Sequence, residues 1–219
     1  VLIQRVTGQA LGQPMSEKQL IYLDNNATTR VAPEVVEAML PCLTEHWGNP
    51  SSAYSLAAEP ARLIEEARER VARLIGANSR NIVFTSCGTE SNNAALQGAT
   101  LANPAKRHIV TTAVEHSANI KFCRQLEKRG YEVTHLPVDL DGAVDLCDLQ
   151  AAIRPDTAIV SIMWANNETG VLFPIEEIAA ICRSHGVLFH TDAVQVAGKV
   201  PIDVRELGVD FLSLSAHKL

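Results

Sequence analysis

No stretch of the 219 residues approaches 18 uninterrupted apolar positions, so no segment reads as a membrane-crossing helix. Positive charge is not in surplus either, because 19 Lys and Arg stand against 25 Asp and Glu, a net charge of −6. Nucleic acid and anionic membrane surfaces are bound through surplus positive charge, so neither is expected as a main partner. The five cysteines contain no CxxC pair, and their odd number and wide scatter encode neither a zinc knuckle nor a disulfide framework. They point to a reducing compartment, the cytoplasm, with most of them expected to be small buried hydrophobes. The seven histidines include no HExxH or comparable spacing, so no metal site is expected. GxGxxG and GxxxxGK(S/T) are both missing, as are internal repeats, low-complexity tracts and Pro/Ser-rich linkers.

What remains is an ordinary globular composition, with 47% hydrophobic and 20% charged residues. Residues 1–14 hold a single charge, Arg5, and no helical or strand period, so they read as an extension upstream of the fold. Met15 reads as a natural start, which leaves residues 15–219 for the fold. Within them, short β-rich runs at 82–85, 108–112, 132–136, 158–163, 187–191 and 211–215 alternate with helical stretches. Several runs, such as AIVSIM, are nearly continuous apolar segments, as strands covered on both faces should be. Helices are expected at 34–43, 59–75, 118–129, 146–153 and 175–185. Pro33 and Pro174 sit at helix starts, Ser117 and Asp145 serve as caps, and Gly130 and Gly186 act as stops. The alternation predicts an α/β fold, a mostly parallel sheet with helices on both faces.

In such sheets the ligand crevice lies beyond the carboxyl ends of the strands. The tips carry Ser86–Thr89 before a helix, His116, the pair Asn166 and Asn167, Asp192 and Lys218. Each has an ordinary explanation too: a helix cap, a loop histidine, a structural ion pair, a solvated lysine. Together they have a chemical logic. A small-residue turn at a helix start offers N–H groups to a phosphate. A lysine amine forms a Schiff base, and an aspartate keeps a pyridine nitrogen protonated so that the ring accepts electrons. That combination matches the needs of pyridoxal 5'-phosphate.

The chain from Ile21 to Lys218 resembles the cysteine desulfurases, pyridoxal-phosphate enzymes of the class V aminotransferase family. The matching stretches are YLDNNATT (22–29), GNPSS (48–52), FTSCGTESNN (84–93) and EH (115–116), then MWANNETG (163–170), HTDAVQVAGKVPID (190–203) and SAHK (215–218). The wording is most like the nitrogen-fixation branch. The resemblance implies the large domain of fold type I, with Lys218 as the Schiff-base lysine and His116 stacking on the ring and moving protons. It implies Asp192 at the pyridine nitrogen, Gln195 at the ring oxygen and Asn167 near that oxygen and the substrate carboxylate. Gly88, Thr89, Ser215 and His217 would hold the phosphate.

The implied activity converts L-cysteine to L-alanine and passes sulfur, as an enzyme persulfide, to an iron–sulfur scaffold protein, from a homodimer. Selenocysteine lyase shares the same fold and Lys/Asp/His set, and a non-catalytic half-chain that pairs with a complementary half is the other alternative. Members of the family continue about as far again beyond the lysine, where the persulfide-forming cysteine and the carboxylate-binding arginine are expected. None of the five cysteines here aligns with the catalytic one, and Cys87, in the phosphate turn, is expected to pack. Ala216 stands where the family usually has Gly, which should tighten the turn before Lys218.

Overall fold

The computed structural model describes residues 21–219, so the expected boundary at Met15 lies outside the described residues. Its centre is a five-stranded parallel sheet of β1 (His108–Thr112), β2 (Glu132–Leu136), β3 (Thr157–Ser161), β4 (Leu188–Asp192) and β5 (Phe211–Ser213), in the order β2-β1-β3-β4-β5. Between β1 and β3 the strand order reverses, which is where a doubly wound sheet opens its crevice.

Among the described residues there are seven α-helices: α1 (Pro33–Thr44), α2 (Ala58–Leu74), α3 (Gly88–Ala102), α4 (Ser117–Glu127), α5 (Leu146–Ala152), α6 (Ile175–Ser184) and α7 (Val204–Leu207). The two faces of the sheet separate by strict alternation. Ile109 and Ile159 pack with Leu96 and Ala99 of α3 and with Phe122 and Leu126 of α4. One residue further along each strand, Val110 and Val160, together with Phe189, meet Leu149 of α5, Ile178 of α6 and Leu207 of α7. All residues of β1 and β3 are buried, which is why their apolar residues, Ile109–Val110 and Ala158–Val160, stand side by side rather than alternating.

The expected helices form with small shifts of their ends, and Gly130 and Gly186 terminate theirs at φ +84° and +63°, a backbone region that costs glycine nothing. Asp145 caps α5 by accepting from the Cys147 N–H at 2.7 Å. Three expectations need correction. The cap of α4 is His116, whose Nδ1 accepts from the Ala118 N–H at 3.2 Å, and not Ser117. Residues 82–85 are extended but join no strand among the described residues, with Val83 78% exposed and Phe84 half-exposed. Extended propensity forms a strand only where a neighbour supplies the ladder, and here none does. The cysteines divide, Cys123 and Cys182 being buried while Cys42, Cys87 and Cys147 are exposed, because only the first two fall on the inward faces of α4 and α6. No helix among the described residues is long and apolar enough to cross a membrane.

Ile159 is fully buried at the centre of β3, between α3 and α4. Ile159→Ala should lower the stability of the full-length protein by about 2–5 kcal/mol in chemical denaturation, through lost burial and the cavity left behind.

Candidate active site

Tips of β1, β3, β4 and β5 and the start of α3 open onto one cleft of about 1130 Å³. The nine residues that the resemblance assigns to the site all line it. Gly88 and Thr89 come from the start of α3, His116 follows β1 and Asn167 follows β3. Asp192 ends β4 with Gln195 just beyond, and Ser215, His217 and Lys218 follow β5.

Asp192 is buried, and two donors hold its carboxylate: Asn92 Nδ2 of α3 gives to Oδ2 at 2.6 Å and the Val194 N–H gives to Oδ1 at 3.0 Å. A buried carboxylate without such donors would be costly. The amide oxygen of the same asparagine, Asn92 Oδ1, is buried with no partner. At the start of α3 the N–H groups of Gly88, Thr89 and Glu90 lie in the first turn, where no helical carbonyl reaches them. Glu90 closes the turn by accepting from the Ser86 N–H at 2.5 Å. A Cβ on Gly88 would meet Val194 Cγ2 at 3.3 Å and Ser215 Cβ at 3.5 Å, so glycine lets β4, β5 and α3 converge there.

The Glu90 N–H and the Ser86 hydroxyl hold the exposed Cys87 thiol below its ordinary value. Cys87 thus stands at the cleft as the N-cap of α3 and is not packed, contrary to expectation.

Lys218 is half-buried in a short turn, Ala216–Lys218, and its Nζ makes no hydrogen bond or ion pair among the described residues. Ala216 is exposed in that turn, and no residue other than glycine has positive φ among the described residues, so the methyl is accommodated without strain. Because His116 Nδ1 accepts from the backbone, the neutral ring carries its proton on Nε2. Of the asparagine pair, Asn166 turns inward, its Oδ1 accepting from the N–H groups of Glu168 and Thr169 at 2.9 and 3.0 Å. Asn167 is left to line the cleft.

Several residues that organise the cleft escaped the sequence reading. The segment at 24–29 laces three tips together: Asn26 Nδ2 gives to the Asn167 carbonyl at 3.0 Å, Gln195 Nε2 gives to the Asn26 carbonyl at 3.0 Å, and the Thr29 N–H gives to the His217 carbonyl at 2.9 Å. His217 Nδ1 also lies 3.1 Å from Thr28 Oγ1. Beneath the cleft, Glu115 is buried. Its Oε1 accepts from the Met163 N–H at 2.9 Å and from Thr112 Oγ1 at 2.9 Å, and its Oε2 accepts from Asn119 Nδ2 at 3.0 Å. Burial raises the Glu115 carboxyl to about 7 against the pull of these three donors, with the charge of Asp192 adding to the rise. His190, fully buried two residues before Asp192, is pushed down to about 4 by burial, which Asp192 partly opposes.

Known proteins resemble this chain in sequence and fold. A family model described as Aminotransferase class-V matches residues 21–219, and the chain belongs to that family. Within it the similar relatives are cysteine desulfurases. Cysteine desulfurase 2 of Trichormus variabilis is 56% identical over 200 residues, covering 91% of this chain and 50% of that protein. Cysteine desulfurase NifS of Azotobacter vinelandii is 50% identical over 200 residues, with the same 91% and 50% covered. A solved structure described as SspA in complex with cysteine superposes with a TM-score of 0.87 at 39% identity, over 90% of this chain and 57% of that one. These likenesses bear out the fold type I class and the parallel sheet covered by helices. The chain spans about half the length of the curated relatives it matches.

Glu115 and His190 give stability opposite dependences on pH. Glu115 keeps its proton in the fold up to about 7 and loses it near 4.5 when unfolded, so its contribution is full below 4.5 and is lost as pH rises through 7. His190 contributes fully above its ordinary 6.5, and its contribution is lost as pH falls through about 4. In the full-length protein, Glu115→Gln should gain on the wild type in denaturation stability as pH rises from 4.5 to 7. A difference that does not change with pH would contradict the raised carboxyl.

Proposed function

We propose that this chain is the cofactor-holding half of a pyridoxal-phosphate-dependent cysteine desulfurase. The observation that carries the reading is the convergence of a partnerless Lys218 amine, a buried Asp192 and the open first turn of α3 on one cleft. The residues fit the cofactor. Asp192 keeps lone pairs beyond the Asn92 and Val194 donors for a cationic ring nitrogen. The first turn of α3 at Gly88 and Thr89, with the Ser215 side chain next to Gly88 and His217 lining the same cleft, suits a phosphate. When bound, the cofactor supplies an electron sink that lets bonds at the substrate's α-carbon break.

The chain's own residues would then divide the work. Lys218 Nζ would provide the amine that holds the cofactor and would accept protons beside the substrate's α-carbon. Asp192 holds the ring nitrogen protonated, Gln195 gives a hydrogen bond to the ring oxygen, and Asn167 orients that oxygen and the substrate carboxylate. His116 stacks on the ring. With its proton on Nε2 it is ready to donate, and it becomes a base only after giving a proton up.

The substrate is L-cysteine, in keeping with relatives named cysteine desulfurases and with a structural neighbour described as being in complex with cysteine. The products are L-alanine and a cysteine persulfide that feeds an iron–sulfur scaffold protein. The working form is a cytoplasmic homodimer. The thiol that takes the sulfur and the arginine that binds the substrate carboxylate would lie in the half of the relatives' length that this chain does not span.

In the full-length protein, Lys218→Ala should abolish both the visible absorbance of bound pyridoxal phosphate and alanine production from L-cysteine. Unchanged absorbance in that variant would overturn the assignment.

A further inference from the structure

Buried polar side chains inside a continuous apolar strand need a reason, and β3, β4 and β5 each carry one on the same face. Ser161, His190 and Ser213 are all buried. They are joined in a line: Ser161 Oγ lies 2.8 Å from His190 Nδ1, His190 Nε2 lies 3.0 Å from Ser213 Oγ, and Ser213 Oγ lies 2.8 Å from Ser91 Oγ on α3. At the other end Asn119 Nδ2 gives to Ser161 Oγ at 3.4 Å while also giving to Glu115 Oε2.

The donors fix the direction. Ser161 Oγ already accepts from Asn119, and among the described residues its own hydrogen has only His190 Nδ1 to go to. His190 is therefore neutral with its proton on Nε2, which gives to Ser213, and Ser213 in turn gives to Ser91. A second tether runs parallel to this one, from Asp192, two residues along β4, to Asn92, the next residue along α3. Adjacent residues of α3 are thus tied to β4, Ser91 through Ser213 and Asn92 directly, and the turn they belong to begins with Gly88, whose N–H no helical carbonyl reaches.

We propose that His190 is a positioning residue that, through Ser213 and Ser91, sets the anion-binding start of α3 against Asp192, so that one strand fixes both ends of the ligand site. The inference rests on the proposed reading of the cleft as a cofactor site. The ionisable groups facing the ring are Asp192 on its own strand and Glu115, reached through Asn119 and Ser161. Burial keeps the ring neutral, pushed down to about 4, so the chain stays directed at ordinary pH.

The experiment cuts the chain away from the cleft. Ser213 does not line the cleft, and its backbone partners survive truncation, so Ser213→Ala removes the link between His190 and Ser91 alone. Apo protein prepared from the full-length enzyme is titrated with pyridoxal phosphate and, separately, with pyridoxal, which has the ring but no phosphate. The variant should bind pyridoxal phosphate about tenfold more weakly, the order of one lost hydrogen bond, and bind pyridoxal as the wild type does. Ser213→Thr, which keeps the hydroxyl, should restore the affinity. Equal weakening for both ligands, or no weakening for either, would overturn the proposal.

Histidine-selective nitrogen NMR on the wild type gives a check that needs no variant. His190 should carry its proton on Nε2 throughout the range from about pH 6 to 8, around the ordinary histidine value. A proton on Nδ1, or a titration within that range, would overturn the proposal. Wild-type protein that binds neither ligand would instead contradict the proposed function, while the NMR result would still decide the hydrogen-bond chain.

Discussion

A carboxylate at the end of a buried strand has to be compensated, and much of this site follows from how Asp192 meets that demand. It lies at the tip of β4, with other parallel strands on either side and α3 above it. Asn92 and the Val194 N–H supply two donors, and the geometry leaves room for a cation. Meeting the first of those donors draws α3 down onto the strand tips. The same approach makes a Cβ at position 88 a tight fit and leaves the Gly88 N–H without a helical carbonyl. A buried carboxylate at the tip of β4 and the open first turn of α3 beside it are therefore consequences of a single packing arrangement.

Around that anchor the cleft is assembled from segments far apart in the chain. The segment at 24–29 touches residues more than 140 positions away, tying Asn167, Gln195 and His217 to one strip of backbone. Such bonds hold loops that would otherwise be independent, since each strand tip leaves the sheet separately. Below the tips, the polar line from Glu115 to Ser91 runs along the α3/α4 face of the sheet. Bonded in series, with only Asn119 Oδ1 left without a partner among the described residues, such buried polar groups favour one arrangement of the strands over its near neighbours.

Much of this was legible in the sequence because it is local. Apolar runs bounded by glycine and proline marked β1 to β4 and their helices, and the rule that ligands lie beyond strand ends pointed to the tips that line the cleft. Residues 82–85 had the composition of a strand, but pairing is a property of neighbours and not of the segment. His116 took the cap of α4 that Ser117 was expected to fill, since a ring nitrogen reaches the Ala118 N–H as well as a hydroxyl could. The roles of Asn26, Thr28, Thr29 and Asn92 could not be read, because their partners lie 100 or more positions away. One signal was visible and unused: Ser161 within AIVSIM and His190 within an apolar strand are polar residues where burial on both faces was already expected.

The central claim is that Lys218 is the residue to which the cofactor is joined at the tip of β5. Borohydride reduction of the full-length protein as purified, followed by peptide mass mapping, tests it most directly, because reduction makes the lysine linkage permanent. The account predicts a pyridoxyl-phosphate adduct on the peptide containing Lys218 and on no other. An adduct on a different lysine, or its absence in protein that shows the visible absorbance of the bound cofactor, would contradict it.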